Sequence, residues 1–508
     1  FRRMLFRSNS LASLDLADPT PSATNGFGSF TQVLGNGNVI ISAPGADTGG
    51  NAATGAVYLF NSKTGALLSD LRGSHAGDHA GSGGIQVLGN GNYLVLSPQY
   101  ATVSGVNTFS LSTTDPNTVP GASAYAIQQN TTASAGAITW HSSTGSGALS
   151  LGSGNSLVGS TANADSVTRY SYSGNTINNN GAITVTANDR LGNITTYDVY
   201  GSVINTGTTN IVELADGNVA IAASNWFNGR GAVAWMNGST GALSNAAAGA
   251  AVSSSVALVG STGIRSLAPN VTDSNSRKVY VIGVDGSLPY TYTQGSTNRR
   301  EAPPGAAGDS IGSSLTALPD GGYVIASPLF TDGSAIYAGA ATHGAAGGSA
   351  GVVSSSNSLV GSHSYDFVSS GGISRVDGGY VVASPYWTDG ANAATGRYLD
   401  NNPNGAVTWV AASTGHVFGG SSSGAVVSST NSLTGGAGDL LGALSNSSSS
   451  PYTSYDYNTS NQLTTTSGTR ATAGSSGLTV LKDGNYLVVD RDWNGGRGAV
   501  AFGGGSAG

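Results

Sequence analysis

Six times along this chain a glycine-containing turn pair runs straight into three apolar residues. The copies are Gly37-Asn38-Val39-Ile40-Ile41, Gly91-Asn92-Tyr93-Leu94-Val95, Gly217-Asn218-Val219-Ala220-Ile221, Gly321-Gly322-Tyr323-Val324-Ile325, Gly378-Gly379-Tyr380-Val381-Val382 and Gly484-Asn485-Tyr486-Leu487-Val488. Gly and Asn supply the positive φ of a tight hairpin turn, and β-branched and aromatic residues favour the strand that follows. A second signature comes after it, as in Gly136-Ala137-Ile138-Thr139-Trp140 and Gly405-Ala406-Val407-Thr408-Trp409, then a Thr-Gly turn such as Thr414-Gly415. A last apolar run closes the unit: Ala425 to Leu433, or Asn155-Ser156-Leu157-Val158-Gly159-Ser160. Residues 371–435 carry the clearest copy, four short antiparallel strands to the repeat.

A recurring unit of this kind decides the architecture before any single residue does. Asn38, Asn92, Asn218, Gly322, Gly379 and Asn485 lie 54, 126, 104, 57 and 106 residues apart, so the longer spacings have room for a second, degenerate copy. Those copies would fall near residues 166–207, 264–294 and 440–467, where an inserted hairpin is the other reading. The fold class predicted is all-β: a β-propeller of about seven to nine four-stranded blades containing six clear repeats, with an open β-repeat array as the alternative.

The ends of the chain sharpen that expectation. The last repeat stops after Ala499-Val500-Ala501-Phe502, before its final strand, while Ser8-Asn9-Ser10-Leu11 reads like the missing strand. Residues 1–25 are therefore expected to complete the last blade, in cis or in a neighbouring molecule, and residues 26–508 to form the blade repeats of one domain. Ser8, Asn9, Ser10, Leu11, Val500 and Phe502 are the expected closure residues. Closure removes sheet edges that would otherwise recruit another chain; donation to a neighbour would give a head-to-tail homopolymer.

Composition narrows the chemistry. Only 9% of the residues are charged and the net charge is −7 over 508 residues, with no basic cluster longer than Arg2-Arg3 or Arg299-Arg300, so a nucleic-acid partner is not expected. The absence of cysteine excludes disulfides and thiolate metal sites. No apolar run reaches the ~20 residues of a membrane helix, and no membrane span is expected. The start at Phe1, without an apolar signal core after the basic Phe1–Arg7, reads as a processed fragment of a longer precursor.

Gly308-Asp309-Ser310-Ile311-Gly312-Ser313-Ser314-Leu315 with Tyr323–Pro328, and Phe27-Gly28-Ser29-Phe30 with Ile41–Ala46 and Gly55–Phe60, resemble the FG-GAP repeat of integrin-type β-propellers. The wider unit, from the Tyr-Val-Val strand through Gly-Ala-Val-Thr-Trp to Asn-Ser-Leu, resembles repeats of long haemagglutinin-like surface proteins of Gram-negative bacteria. That resemblance implies secretion and surface display, extracellular or at the cell surface, and implies no enzyme. The calcium loop of FG-GAP propellers is missing here, the corresponding turns reading Leu34–Gly37, Ala215–Gly217 and Lys482–Gly484, so calcium is not carried over and no cofactor is expected.

Candidate sites are few. His75, Asp78 and His79 form a short metal-ligand-like cluster with no further protein partner nearby; Asp78, Asp309 and Asp366 recur after the final strand, where an Asp accepts local backbone hydrogen bonds. Gly420-Ser421-Ser422-Ser423-Gly424 matches a nucleophile elbow but has no following helix. With Glu213 and Glu301 as the only glutamates, no carboxylate pair for glycoside chemistry stands out. Trp226, Tyr386, Trp387 and Trp493, in loops beyond the second strand, are candidates for stacking on glycan rings or for filling the space between blades; Trp140, Trp235 and Trp409 read as inter-sheet packing. The functional expectation is a non-enzymatic structural or adhesive extracellular repeat protein, with self-assembly into surface filaments where the N-terminal strand is donated to a neighbour; a lectin-like module and, last, a polysaccharide-active enzyme are the alternatives.

Overall fold

The computed structural model describes residues 13–100, 135–160, 209–261, 308–390, 403–443 and 477–506, a few single positions apart, with the backbone course of several strands between them. The chain is all-β, a series of repeated mixed sheets. It clusters into two compact bodies: residues 1–258, 267–298 and 348–351, and residues 259–266, 299–347 and 352–508. Among the described residues no helix is long and apolar enough to cross a membrane.

Each legible repeat makes one sheet. In the first body Thr31–Val33, Val39–Ala43, Ala56–Phe60 and Leu67–Arg72 pair consecutively and antiparallel. Gly84–Val87, Tyr93–Ser97, Ala137–His141 and Ser156–Val158 do the same in the second repeat. In the second body the pattern recurs in Ser314–Ala317, Tyr323–Ser327, Ala340–Gly344 and Ser358–Val360, and in Ile373–Val376, Gly379–Ser384, Ala406–Ala411 and Leu433–Thr434. The second strand of every complete sheet is buried throughout, because sheets pack on both its faces.

One expectation needs correction. The run from Ala425 to Leu433 is not one strand. Ala425–Val426 pairs parallel with Ser358–Val360 of the preceding sheet, and only then does the chain return to its own sheet as Leu433–Thr434. Ala250–Ala251 joins Ser156–Val158 in the same way, and Gly147–Ser150 joins Leu67–Arg72. A four-stranded sheet thus becomes five-stranded through a link strand handed back by the next repeat. The turn between the two pieces is what the Asn of the Asn-Ser-Leu motif builds. Asn431 Oδ1 accepts from Ser428 N at 3.0 Å while its Nδ2 donates to Val426 O at 2.9 Å; Asn357 does the same with Ser354 N and Val352 O. The Ser that follows sits opposite a Thr of the third strand, the hydroxyls 2.7 Å apart in Thr139–Ser156 and Thr408–Ser432 and 2.8 Å in Thr342–Ser358.

Where degenerate copies were expected, the first stretch lies in a four-stranded sheet with Ser123–Gln129 and Asn107–Thr108, and the other two contain two-stranded hairpins. Ala164–Ser173 pairs with Thr176–Thr186, Tyr280–Val281 with Tyr290–Thr291, and Ser450–Tyr457 with Leu463–Arg470.

Candidate functional site

Consecutive repeats are tied together at fixed points, and the candidate site is the place where those ties stop. After each link strand an aliphatic side chain turns into the groove between sheets: Leu151, Val252 and Val427 are all buried. Their amides bond back to the preceding closing strand, Leu151 N to Arg72 O at 2.8 Å, Val252 N to Val158 O at 2.9 Å and Val427 N to Val360 O at 2.9 Å. Trp140 Nε1 and the side-chain amides of Asn90 and Asn92 converge on Gly238 O, the turn of the next repeat, at 2.8, 2.8 and 3.2 Å. The glycine of that Thr-Gly turn is needed twice over. Gly241 has φ +75°, and a Cβ there would lie 2.8 Å from Trp140 Cβ. Gly415 repeats the arrangement over His343, with φ +71°.

The sixth repeat has three paired strands among the described residues: Gly477–Val480, Tyr486–Asp490 and Ala499–Gly503. Trp409 Nε1 still reaches Gly505 O at 2.8 Å, so the fifth and sixth sheets are tied as the others are. No link strand lies on Leu433–Thr434 among the described residues, and none closes Ala499–Gly503. The result is a groove of about 320 Å³ lined by Val407, Trp409, Leu433, Tyr486, Val488 and Ala501, with others. Leu433 is 43% exposed, whereas Leu157 and Leu359, at the same motif position, are 0% and 3% exposed. Val500 and Phe502, two of the expected closure residues, are 66% and 65% exposed on the outer face of the last sheet. Ser8, Asn9, Ser10 and Leu11 lie outside the described residues. Their neighbours Leu14 and Leu16 pack against the first sheet with Phe27, Val39 and Tyr58, and Leu14 covers Gly65 as Trp140 covers Gly241.

The recurring Asp residues are structural acceptors. Asp366 is buried; its Oδ2 accepts from Ser362 N and His363 N at 2.9 and 2.8 Å, and its Oδ1 from Thr388 N and Oγ1 at 3.1 and 2.8 Å. Burial pushes its carboxyl above the usual range, against the pull of these hydrogen bonds. Asp78 holds Ser74 N and His75 N in the same way, and Asp309 holds Ser261 N and Thr331 N. His79 Nδ1 is 2.9 Å from Pro44 O, and the described residues contain no group of three or more metal-binding side chains. Ser422 is exposed and its Oγ donates to Gly424 O at 2.7 Å, within a bend rather than an elbow.

The aromatic candidates divide. Trp226 and Trp387 are buried and so have no face free for a sugar, which corrects the glycan-contact expectation for both. Trp493 is exposed. Tyr386 is half-buried at the edge of an aromatic group that the sequence did not single out, Tyr337, Tyr365 and Phe367, with the Phe367 and Tyr386 rings 6.0 Å apart. Tyr337, Tyr365 and Phe367 all have positive φ, uncommon for bulky residues. Ala53, Gly77 and His79 hold the matching conformations earlier in the chain, so the strain belongs to the repeat and not to the aromatics. The flanking of Asp366 by Tyr365 and Phe367 was the signal available in the sequence.

A family model described as a repeat of unknown function (DUF5650) matches residues 125–169, 213–266, 317–370, 376–443 and 480–508, much of the chain. These matches leave out the first sheet, whose closing strand Leu67–Arg72 follows its Thr-Gly turn with no link strand between. No curated protein matches the chain. Among solved structures, prolyl oligopeptidase B from Galerina marginata, in a mutant form bound to a 25mer macrocyclization substrate, is similar at 7% identity. The match covers 94% of this chain and 49% of that one with a TM-score of 0.18, so this chain spans about half of the peptidase's length, and likeness at that level carries no argument.

Proposed function

We propose that this chain is a non-enzymatic structural or adhesive repeat protein of the extracellular surface, and that its last sheet is an assembly surface. The observation that carries the reading is the exposed pair Val500 and Phe502. They stand at the positions of Val407 and Trp409, which in the fifth sheet are buried beneath the sixth. A sheet face that elsewhere receives the next repeat is presented to solvent here, and a wide apolar face is an interaction surface more often than a neutral one. The low charge and the resemblance to bacterial surface repeats support an extracellular setting. A blade ring whose termini share a sheet, or an open array extended end to end, would both use this face.

The test is end-to-end association of the full chain in negative-stain micrographs and sedimentation. Concentration-dependent linear species, abolished by Val500→Asp with Phe502→Asp, are expected. A chain that stays monomeric at millimolar concentration would overturn the assembly reading. A lectin-like role is the second reading, supported by the Tyr386 aromatic group and the exposed Trp493. Glycan binding that is lost in Tyr386→Ala and Trp493→Ala, with Trp387→Ala affecting only stability, is its expected signature.

A further inference from the structure

Consecutive sheets are tied where the third strand ends, and the donors used there differ from one junction to the next. From the first sheet, Asn36 and Asn38 donate to Ser143 O at 3.0 and 2.9 Å. From the second, Trp140, Asn90 and Asn92 share Gly238 O, and from the fifth Trp409 reaches Gly505 O. An indole and a carboxamide do not titrate. At the fourth sheet the pattern breaks. His343 stands at the position of Trp140 and Trp409, while Asp320 and Gly322 stand at the positions of Asn90 and Asn92. A carboxylate and a glycine offer no side-chain donor. Of these three positions, only the imidazole can bond to the Ala412 carbonyl, the counterpart of Gly238 O, and it does.

The ring is closely held. It stacks on Tyr380 of the fifth sheet, with centroids 6.5 Å apart and planes 6° apart. The Gly415 turn presses on its stem, where a Cβ would lie 2.7 Å from His343 Cβ. Tyr380 is buried, and burial pushes its phenol above the ordinary range. His343 Nε2 is buried and has no hydrogen-bond partner. The charged and titratable groups of the junction are few. Asp320 Oδ1 accepts from Gly322 N at 3.0 Å; it and His343 Nε2 lie 3.1 and 3.5 Å from the point where a Gly322 Cβ would stand. A charge on His416, after the Gly415 turn, opposes one on His343. Arg375, on the first strand of the fifth sheet, donates to Ala317 O at 3.4 Å, and Tyr323 of the second strand lies against Gly344.

We propose that the junction between the fourth and fifth sheets is an acid-released joint: a second proton on the His343 ring charges the side-chain tie between the two turn ends, and the sheets part there while each stays folded. Burial lowers the His343 pKa from the ordinary 6.5, against the pull of the Ala412 carbonyl and of Asp320. An opened junction returns the ring to water and takes up the proton first. The closed contact is therefore whole above about pH 6.5 and is lost as the pH falls toward the folded value. Opening uncovers the Tyr380 ring, which the closed protein hides. His141 differs in kind: it stacks on Tyr93, its pairing partner within one sheet, so its titration acts on a sheet and not on a junction.

The chain has no cysteine, so nitroxide labels on Ala345→Cys and Ser413→Cys, exposed turn residues of the two sheets, report the gap without background. Pulsed electron resonance distances are measured on the full chain at about pH 7.5 and about pH 5, in a His141→Met background, with hydrogen exchange alongside. A longer-distance component is expected at the lower pH, vanishing on return to the higher. It should be absent in His343→Trp and in His343→Gln, which keeps an amide donor without a titratable ring. His416→Gln should shrink it by removing the opposing charge. Amides of Tyr323–Ser327 and Gly379–Ser384 should stay protected throughout. An unchanged distance distribution on acidification, or a long component that survives in both His343 variants, overturns the proposal. Loss of protection in those two strands at the same pH overturns it too, since that is unfolding and not the release of a joint.

Discussion

The first sheet and the last are written in the same motifs, yet the closing edge of one is covered and that of the other is open. In the first, Leu14 and Leu16 take the place of a preceding repeat, and Gly147–Ser150 arrives from the second repeat to extend Leu67–Arg72. In the last, Ala499–Gly503 has a neighbour on one side only among the described residues, and Val500 and Phe502 face solvent. The difference lies in the neighbours. A strand that would be a core element in the middle of the series becomes a sticky edge where no link strand reaches it.

The largest effect should come from the link residue itself. Val427→Asp puts a charge into a filled groove and is expected to cost about 4 kcal/mol, whereas Leu433→Asp, at the open edge, should cost about 1 kcal/mol or less. Denaturant midpoints of the two variants measure this, and equal losses would break the comparison. Next, Asp366→Ala strands the backbone donors Ser362 and His363 and both donors of Thr388, an expected loss of about 3 kcal/mol. Asp439, beside the open junction, accepts from Gly436 N, and its replacement by alanine should cost about 1 kcal/mol.

A third effect separates a complete sheet from the open one by pH. His141 is buried and stacked on Tyr93 with ring centroids 5.4 Å apart, and burial lowers its pKa to about 4. The last sheet has Gly503 at that position, against Tyr486. Because the folded-state value lies below the ordinary 6.5, the unfolded chain binds the proton first. The contribution is therefore whole above pH 6.5 and falls as the pH drops toward 4, by roughly 2 kcal/mol at pH 5. His141→Met, the residue type of Met236 in the third repeat, should flatten that slope in melting curves taken across this range; an unchanged slope would place the titration elsewhere. The smallest effect is Thr408→Val, which removes one partner of the 2.7 Å hydroxyl pair with Ser432 and should cost about 1 kcal/mol.

Much of this was legible beforehand. The alternation of turn glycines with Val-, Ile- and Tyr-rich triplets gives the first three strands of every repeat, since each is local and its turn chemistry is written beside it. The role of Asp78, Asp309 and Asp366 as backbone acceptors was legible for the same reason. The link strand was not. Ala425-Val426-Val427 and Leu433 read as one apolar run because nothing local says that its two halves pair in different sheets; the parallel pairing is a long-range fact. The clue was Asn431, a turn builder in the middle of the run. For Trp226 and Trp387 the sequence offered both a sugar platform and a filler between blades, and their burial decides for the filler.

Backbone hydrogen exchange on the full chain tests the hand-back of link strands most directly. The account predicts slow exchange for the amides of residues 250–252 and 425–427, comparable to the second strands of their sheets, and clearly faster exchange for residues 431–434 and 499–503. Fast exchange at 425–427, or protection at 499–503 equal to that at Gly379–Ser384, would contradict it.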